Sequence, residues 1–378
     1  MAARQIALVK RARASRRLTG GTWTEALNAD PVPWLLGDDN PAVKHLTLRA
    51  LLQRGADDLD VRRALAAAME ADPISSILAA QHPDGYWVKP GPGYSPKYRS
   101  TVWQVIFLDQ LGADGSDPRV HAACEYVLSH AQAESGGFGA SANKEETSPP
   151  PSRAIHCLNG NVLRALIGFG WLNDDRVQRA IDWQARSITG QRFDQYYRSG
   201  TSGPGFCCVA NGHQPCAWGA IKALLALARI PPDRRAPHVR RAIRQGASFL
   251  LSCDPAAADY PMISESGNPS RSWFRLGFPS GYVADVLQNL EVLCELGFAG
   301  DRRLNRAVDW LSGKQDEHGR WKNEYAYNGK TWVDIEKQGQ PSKWVTLRAC
   351  KVIKRVHEAR GAGRSGRAAS ATPGQSAP

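Results

Sequence analysis

An internal repeat restricts the fold of this chain more than any other feature of its sequence. In each copy an apolar stretch ends at Gly or Pro, and an Asp then precedes an Arg near the start of the next stretch. The Gly or Pro ends one helix, and the Asp caps the helix that follows. A period near 60 residues with two helices per unit is typical of an array of helical hairpins. The copies are residues 111–120, 168–177, 228–239 and 296–304.

A second marker recurs at the other end of each unit, where a helix ends, the chain turns through Gly and an aromatic residue follows. It occurs at 77–87, 126–139, 181–194 and 307–321. Glycine permits the positive-φ turn, and the aromatic side chain packs back against the helices. Together the two markers predict inner-type helices that begin near residues 41, 97, 157, 214, 280 and 341. They predict outer-type helices that begin near residues 58, 117, 174, 236 and 301.

The segments QHPDGYW (81–87) and QDEHGRW (315–321) resemble the prenyltransferase and squalene-cyclase repeat of the terpenoid cyclase and protein prenyltransferase superfamily. The resemblance covers roughly residues 40–356. It implies an all-α fold, an α/α toroid in which five to six helical hairpins form an inner and an outer ring of helices around an apolar cavity. Because toroids carry unrelated chemistries, the resemblance implies the fold more strongly than the reaction.

The basic charge of the chain lies mainly at its ends. Of the net charge of +12, residues 1–17 and 359–378 supply nine basic residues and no acidic one. We expect a largely disordered basic segment (1–30), a toroid domain (31–358) and a disordered tail (359–378). A modestly positive body suits a small anionic substrate, so no specific nucleic-acid partner is expected; the alternative is nucleic-acid binding through the tails.

The start of the chain has no apolar core of a signal peptide, and the sequence has no apolar run long enough for a membrane span. These features predict a cytoplasmic protein that contacts membranes at most peripherally. An Arg-rich start without acids is also compatible with an organellar transit peptide. The sequence does not predict the oligomeric state.

The segment FCCVANGHQPC (206–216) gathers cysteine and histidine residues, which are the ligands that Zn²⁺ prefers. We expect Cys208, His213 and Cys216 as metal ligands, with Cys157 from the neighbouring inner helix as the fourth. Four ligands would make a structural site, and three with an open position a catalytic one. The alternative is that the cysteines fill the core, because inert cysteine is usually buried.

The repeat places every inner-helix start at one face of the ring, which we call the mouth. Converging helix N-termini and basic side chains attract anions, and aromatic side chains enclose isoprenoid chains and stabilise carbocations. The predicted substrate-binding residues are Arg99, Trp103, Asn161, Trp218, Phe278, Lys343, Trp344 and Arg348.

Catalytic acids are less clear from the sequence. The D-x-D-D motif with which class II terpene cyclases protonate their substrate does not occur, and ADDLD (56–60) reads as helix-capping residues. Asp285 and Glu324 are predicted as general acid or base, with Tyr282 as a third catalytic residue. The sequence thus favours a terpene-cyclase-like or prenyltransferase-like enzyme, a transferase or isomerase, with an isoprenoid substrate and zinc as candidate cofactor. The alternative is a non-catalytic toroid that carries a lipid or peptide, or a scaffold with structural zinc.

Overall fold

The computed structural model describes residues 22–141, 149–193, 199–261 and 270–369. Most of this part of the chain is helical, and the few strands have two residues each. The helices are α1 (Val32–Leu35), α2 (Pro41–Ala50), α3 (Leu59–Glu70), α4 (Ile74–Ala79), α5 (Thr101–Leu111), α6 (Pro118–His130), α7 (His156–Gly168), α8 (Asp175–Thr189), α9 (Ala217–Ala228), α10 (Pro237–Leu250), α11 (Val286–Glu295), α12 (Asn305–Ser312) and α13 (Lys343–Ala369). The strands are β1 (Ser202–Gly203), β2 (Cys207–Cys208), β3 (Gln214–Pro215), β4 (Trp321–Lys322) and β5 (Pro341–Ser342).

Within the described residues, α2, α5, α7, α9, α11 and α13 form the inner ring, and α3, α6, α8, α10 and α12 form the outer ring. Neighbouring inner helices pack on one another from α5 through α7, α9 and α11 to α13, and α13 packs on α2. Leu46 of α2 lies against the turn at Gly112, which ends α5, and so completes the circle. The α/α toroid predicted from the repeat is therefore confirmed.

The Gln–Gly–aromatic marker forms the same hydrogen-bonded turn in successive units. The side-chain amide of Gln81 donates to the carbonyl oxygens of Gly85 and Arg119, at 3.2 and 2.9 Å. Gln132 repeats this with Gly136 and Arg176, both at 2.8 Å. Each glutamine thus ties its own turn to the first turn of the next outer helix. Both glycines have positive φ, and a Cβ there would meet a backbone oxygen of the next outer helix at 2.6–2.7 Å.

The aromatic residue after each of these turns is buried between the two rings. Trp87 and Trp321 are fully buried, and each indole N–H donates to a helix carbonyl oxygen, of Ile77 and Leu311 respectively, at 2.8 Å. Burying a large side chain of this kind stabilises the fold by about 1.5–3 kcal/mol. The inward-packing aromatic predicted from the sequence is confirmed.

In three of the four copies of the first marker, Asp caps the helical turn that follows and binds the nearby Arg; in the copy at 228–239, Ala236 precedes α10 and no side chain caps it. Asp117 accepts from the backbone N–H and the guanidinium of Arg119, and Asp174 does the same for Arg176. Asp301 accepts in this way from Arg303. Because the guanidinium neutralises the cap and shields it from solvent, the Arg recurs with the Asp along the chain.

The ring is closed between its first and last units by the segment before α1. The backbone N–H of Asn28 donates to the Gln315 side chain at 2.8 Å, and the Asn28 side chain donates to the carbonyl oxygen of Asp316 at 3.1 Å. Lys354 of α13 donates to the Leu51 carbonyl oxygen at 2.8 Å. The last repeat is therefore joined to the start of the first.

Residues 276–285, which we call the plug, run into the ring before α11 begins. Ser280 exchanges two hydrogen bonds with the side chain of Gln110, which lies near the far end of α5. The Gly281 carbonyl oxygen accepts from Asn161 of α7 at 3.3 Å. Contacts with two inner helices that are not neighbours of α11 place this segment on the ring axis. The apolar cavity implied by the resemblance is therefore partly filled by backbone.

Two inner helices begin later than the sequence predicted. The helix α5 begins at Thr101 instead of near residue 97, and α11 begins at Val286 instead of near residue 280. In both cases the preceding residues form the loops that carry the aromatic side chains of the mouth. The last helix, α13, continues to Ala369, into the segment expected to be disordered from 359. Residues 1–21, predicted as part of the basic N-terminal segment, lie outside the described residues.

No helix in the described ranges is both long enough and apolar enough to cross a membrane.

Candidate functional site

A cluster of tyrosine and tryptophan side chains, which we call the aromatic wall, lines one side of the mouth. Trp103, in the first turn of α5, is its centre and is fully buried. The ring of Trp103 lies 4.9–5.5 Å from three tyrosine rings. Spacings of this size are favourable for aromatic pairs. The wall consists of Tyr94, Tyr98, Trp103, Tyr282, Tyr325 and Tyr327.

Side chains of α5 hold the loop that carries two of these tyrosines. The indole N–H of Trp103 donates to the Tyr94 carbonyl oxygen at 2.8 Å, and the Gln104 side chain donates to the Tyr98 carbonyl oxygen at 2.9 Å. Tyr98 has a φ of 69°, in the left-handed region that a non-glycine residue rarely adopts. These bonds to buried side chains compensate the strained backbone and fix the two rings at the mouth.

Several buried polar atoms at the mouth lack a well-formed hydrogen bond among the described residues. They include the indole nitrogens of Trp218 and Trp344, in the first turns of α9 and α13, and the hydroxyl oxygen of Tyr282, which lies beside the Tyr94 hydroxyl. Burial raises the pKa of Tyr282 far above its ordinary value, so the phenol is neutral and can donate. An unpaired buried donor costs about 1–3 kcal/mol. Each of these groups is therefore a candidate donor to a ligand at the mouth.

Below the mouth, charged side chains fill the far end of the inner ring; we call them the charged floor. Arg229, after α9, binds Asp109 of α5 at 2.7 and 3.1 Å, although α7 lies between the two helices in the ring. Arg348 of α13 donates two hydrogen bonds to the Glu291 carboxylate of α11. Burial disfavours the charge of Glu291, but Arg348 outweighs it and holds the pKa of that carboxyl below its usual value. The floor is thus polar and paired.

Lys222 and Asp285 lie buried between the mouth and the floor. The Lys222 ammonium group donates to the Gln288 side chain, and burial lowers the pKa of Lys222 to about 7. Asp285 caps α11 and accepts from the backbone N–H groups of Gln288 and Gly277, at 2.8 and 3.3 Å. Burial raises the pKa of Asp285, although Arg348 opposes the shift. The predicted acid is therefore a buried helix cap.

Three of the predicted metal ligands, Cys208, His213 and Cys216, lie in or directly beside the hairpin of β2 and β3, and the fourth, Cys157, lies in the first turn of α7. Cys208 pairs with Gln214 across the hairpin, so Cys216 lies on the same face, diagonally opposite Cys208. Their thiols are hydrogen-bonded, which lowers the pKa of Cys208 to about 6 and raises that of Cys216. Cys157, in the first turn of α7, is close enough that the Cys208 charge adds to the effect of burial, which raises the pKa of Cys157 to about 12.

The arrangement of these ligands does not fit a zinc ion as it stands. Among the residues that the structure describes, no three His, Cys, Asp or Glu side chains are grouped so that they could hold a metal ion. His213 has a φ of 64° and bonds to Cys208 through its backbone N–H. Zinc therefore stays a prediction, and no chemical step is derived from it.

Of the predicted substrate-binding residues, Trp103, Asn161 and Trp218 lie at the mouth or against the plug. Phe278 belongs to the plug itself, and Lys343 and Trp344 begin α13 at the mouth, but the side chains of these three residues have other partners. Phe278 and Trp344 stack on each other at 4.5 Å and are buried. Lys343 pairs with Asp39 where the ring closes. Arg99 is exposed and lies over Trp332, and Arg348 belongs to the charged floor.

Glu324 lies apart from Asp285. Its carboxylate accepts from Lys314 at 2.7 Å and from the Leu276 backbone N–H at 2.9 Å. Both Lys314 and Glu324 line a cavity of about 350 Å³ together with Asp316 and Trp321 of the last repeat turn. The structure thus does not bring the two predicted acids into one group.

Sequence reasoning missed Lys222 and the plug. Lys222 is the single charged residue in the apolar stretch of α9, Ala217–Ala228, and an isolated charge of this kind signals a buried polar role. The plug gave no comparable signal, because its position depends on distant contacts with α5 and α7.

No protein-family model matches this chain, and no curated protein sequence matches it. Several solved structures match it. A type II terpene cyclase from Scytonema, in complex with geranylgeranyl dihydroxybenzoate, is 15% identical with a TM-score of 0.44, over 93% of this chain and 98% of that one. An unsaturated glucuronyl hydrolase specific for heparin is 12% identical with a TM-score of 0.47, over 93% and 96%. A glycosyl hydrolase of family 88 from Bacteroides vulgatus is 10% identical with a TM-score of 0.47, over 94% and 99%. The chain is similar to these proteins in fold.

Proposed function

We propose that the protein is a terpene-cyclase-like or prenyltransferase-like enzyme that holds an isoprenoid substrate against the aromatic wall. The observation that carries the proposal is the aromatic wall, whose rings pack around Trp103 at the mouth, with Trp218 and Tyr282 as candidate donors to a ligand there. An apolar chain with an oxygen atom at one end fits both parts. The oxygen accepts from the indole and the phenol, and the chain packs on the rings.

The aromatic wall also suits the chemistry of such a substrate. Carbocations that form along an isoprenoid chain are stabilised over the faces of tyrosine and tryptophan rings. Asp285 is our candidate proton donor, since it is a buried carboxyl whose pKa is raised by burial. Glu324 is kept as the second candidate acid or base. Zinc ligation by Cys157, Cys208, His213 and Cys216, a cytoplasmic location and peripheral membrane contact remain predictions.

Binding of geranylgeraniol and of geranylgeranyl diphosphate to the full chain, followed by calorimetry, tests the proposal. We expect Trp218→Phe and Tyr282→Phe each to weaken binding about 5–10-fold, since each removes one donor. Trp310→Phe, on outer helix α12 and away from the ring axis, is the matched control and should bind as the wild type does. If neither probe binds, or if the mouth variants bind unchanged, the proposal is wrong.

Turnover is tested separately by mass spectrometry of the incubated probes. A cyclised or transferred product that Asp285→Asn abolishes supports the assignment of the proton donor. Unchanged turnover in Asp285→Asn and Glu324→Gln would remove both acid assignments.

A second candidate function is a non-catalytic carrier of the same kind of ligand. The observation that favours it is the filled ring axis, in which the plug and the charged floor take up the space below the mouth. Tight binding of the probe without any product after prolonged incubation would support this alternative.

A further inference from the structure

The segment between β4 and β5 leaves the last repeat turn, extends over the mouth and returns to the start of α13. We propose that residues 326–338 of this segment are a lid over the aromatic wall, which the side chain of Trp332 holds closed and which opens to admit the ligand. The lid rests on the proposed function, because it is needed only if the wall binds a ligand.

The base of the lid is bonded to the plug through both side chain and backbone. The Asn323 side chain accepts from the Phe278 backbone N–H at 3.1 Å and donates to the Phe278 carbonyl oxygen at 3.2 Å. The Asn323 backbone N–H donates to the Gln340 carbonyl oxygen at 2.9 Å, which joins the two ends of the segment. The Tyr325 backbone N–H donates to the Leu276 carbonyl oxygen at 3.2 Å. The base is therefore fixed, and the lid turns about it.

The lid itself is fastened to the ring by side chains. Within the described residues, hydrogen bonds from 326–338 to the rest of the chain run through the side chains of Tyr327, Trp332 and Glu336. The other hydrogen bonds of the lid join its own residues, as between Asn328 and Glu336 at 2.9 Å. A segment held in this way can open without breaking a helix or a strand, so its local stability is low.

The closed lid covers rings of the aromatic wall. Tyr327 is 3% exposed, and its ring stacks on that of Tyr98 with 4.3 Å between the centroids. The Tyr327 hydroxyl accepts from the Gly281 backbone N–H of the plug at 3.1 Å. A ligand can therefore reach the stacked faces of these two rings only after Tyr327 has moved away from Tyr98.

Trp332, midway along the lid, forms a contact with Arg99 that we call the latch. The indole N–H donates to the Arg99 carbonyl oxygen at 2.9 Å, and the Arg99 guanidinium lies 5.8 Å from the ring centroid. The latch joins the segment before α13 to the loop before α5, although α2 lies between these helices in the ring. Because Trp332 is 38% exposed, water can replace the hydrogen bond, and the latch fixes the closed position without preventing opening.

Opening and closing of the lid would control the entry and release of the ligand. When the latch opens, Tyr327 leaves Tyr98, and the Gly281 N–H loses its acceptor. When the lid closes again, Tyr327 returns over the ligand and excludes water. Trp332 is therefore a positioning residue, which acts on the rates of binding without touching the ligand.

The first test needs no ligand. Hydrogen–deuterium exchange of the full chain, measured in peptic fragments that contain Gly281, reports how often Tyr327 leaves its place. We expect this exchange to be about fivefold faster in Trp332→Ala, since the hydrogen bond of the latch is lost. Exchange in α7 should stay unchanged, which shows that the fold is retained. Lys337→Ala, at an exposed position of the lid, is the matched control and should exchange as the wild type does.

The second test measures the binding rates of geranylgeraniol by stopped-flow fluorescence. We expect association and dissociation both to be about fivefold faster in Trp332→Ala, with nearly unchanged affinity, because the latch forms in the free and in the loaded protein. A residue that only stabilised the fold would not change the two rates together. Trp332→Phe, which keeps an aromatic ring but removes the N–H, should give a smaller increase.

Unchanged exchange at Gly281 in Trp332→Ala would overturn the lid, and so would an equal increase in Lys337→Ala. If geranylgeraniol binds but associates equally fast with Trp332→Ala and wild type, the lid does not control entry and the proposal is wrong. Absence of binding to the wild type would instead contradict the proposed function, and the exchange at Gly281 would still decide whether the lid opens.

Discussion

The aromatic wall and the charged floor lie at two levels of the same ring and differ in how their buried polar groups are paired. At the floor, Asp109, Glu291 and their arginine partners form close ion pairs between inner helices. At the mouth, Trp218 and Tyr282 leave buried donors without partners in the described part of the chain. A folded protein usually pairs its buried polar groups, so the exceptions point to a ligand. The difference indicates that the floor holds the ring together and that the mouth is the place for binding.

The largest expected effect comes from breaking a pair of the floor. Glu291→Gln leaves Arg348 buried without its counter-charge, and we expect the free energy of unfolding to fall by ~3–5 kcal/mol. Urea denaturation measures it. Asp301→Asn, which breaks an exposed pair with Arg303, should cost about 1 kcal/mol or less. Equal losses in the two variants would show that the floor is not a special source of stability.

Lys222, between the two levels, should make stability depend on pH. Its pKa is about 7 in the fold and 10.5 without perturbation, so between these values the unfolded chain binds a proton that the folded chain does not. Stability therefore rises with pH across this window. We expect the unfolding free energy of wild type relative to Lys222→Met to increase by ~2–4 kcal/mol from pH 7 to pH 10. Lys97→Met, at an exposed lysine, is the control. If the difference in unfolding free energy between wild type and Lys222→Met did not change with pH, Lys222 would not be buried in its neutral form.

The smallest effect separates two buried tyrosines. The Tyr260 hydroxyl bonds to the Leu250 carbonyl oxygen and to Asn289, so Tyr260→Phe should cost ~1–2 kcal/mol of unfolding free energy. Tyr282→Phe removes a hydroxyl whose contact with the Tyr94 hydroxyl lacks good hydrogen-bond geometry, and we expect a smaller loss or none. Thermal denaturation of both variants without ligand makes the comparison. A loss in Tyr282→Phe as large as that in Tyr260→Phe would mean that the hydroxyl is satisfied in the unliganded protein.

The sequence predicts the helical hairpins well, because local rules determine them, whereas their closure into a ring was implied by the family resemblance. Gly85 and Gly136 must adopt positive φ, Gln81 and Gln132 find their acceptors four residues on, and Asp117 caps the helix that it precedes. These contacts recur with the period of the repeat, so each unit supports the interpretation of the others.

The site is less predictable, because its contacts join residues far apart in the chain and do not recur with the repeat. Ser280 reaches Gln110 across 170 positions of the chain, and nothing near residue 280 indicates that the backbone enters the ring. Trp103 and Trp218 could be proposed from their places at helix starts. Phe278 and Trp344 had the same signal but pack on each other, and only the fold distinguishes the two cases.

At the junction between Asn28 and Gln315, the first and last units of the ring meet through non-covalent contacts. Without this junction, the helical units would form an open solenoid in which the first and the last unit each leave one face uncovered. The ring is closed because these two faces pack on each other. A chain cut at an exposed turn such as Gly170 and rejoined across the junction would keep every contact between units. Spreading the circle, by contrast, requires the contacts between the first and last units and those of the plug across the ring to break, while the helices themselves can stay intact.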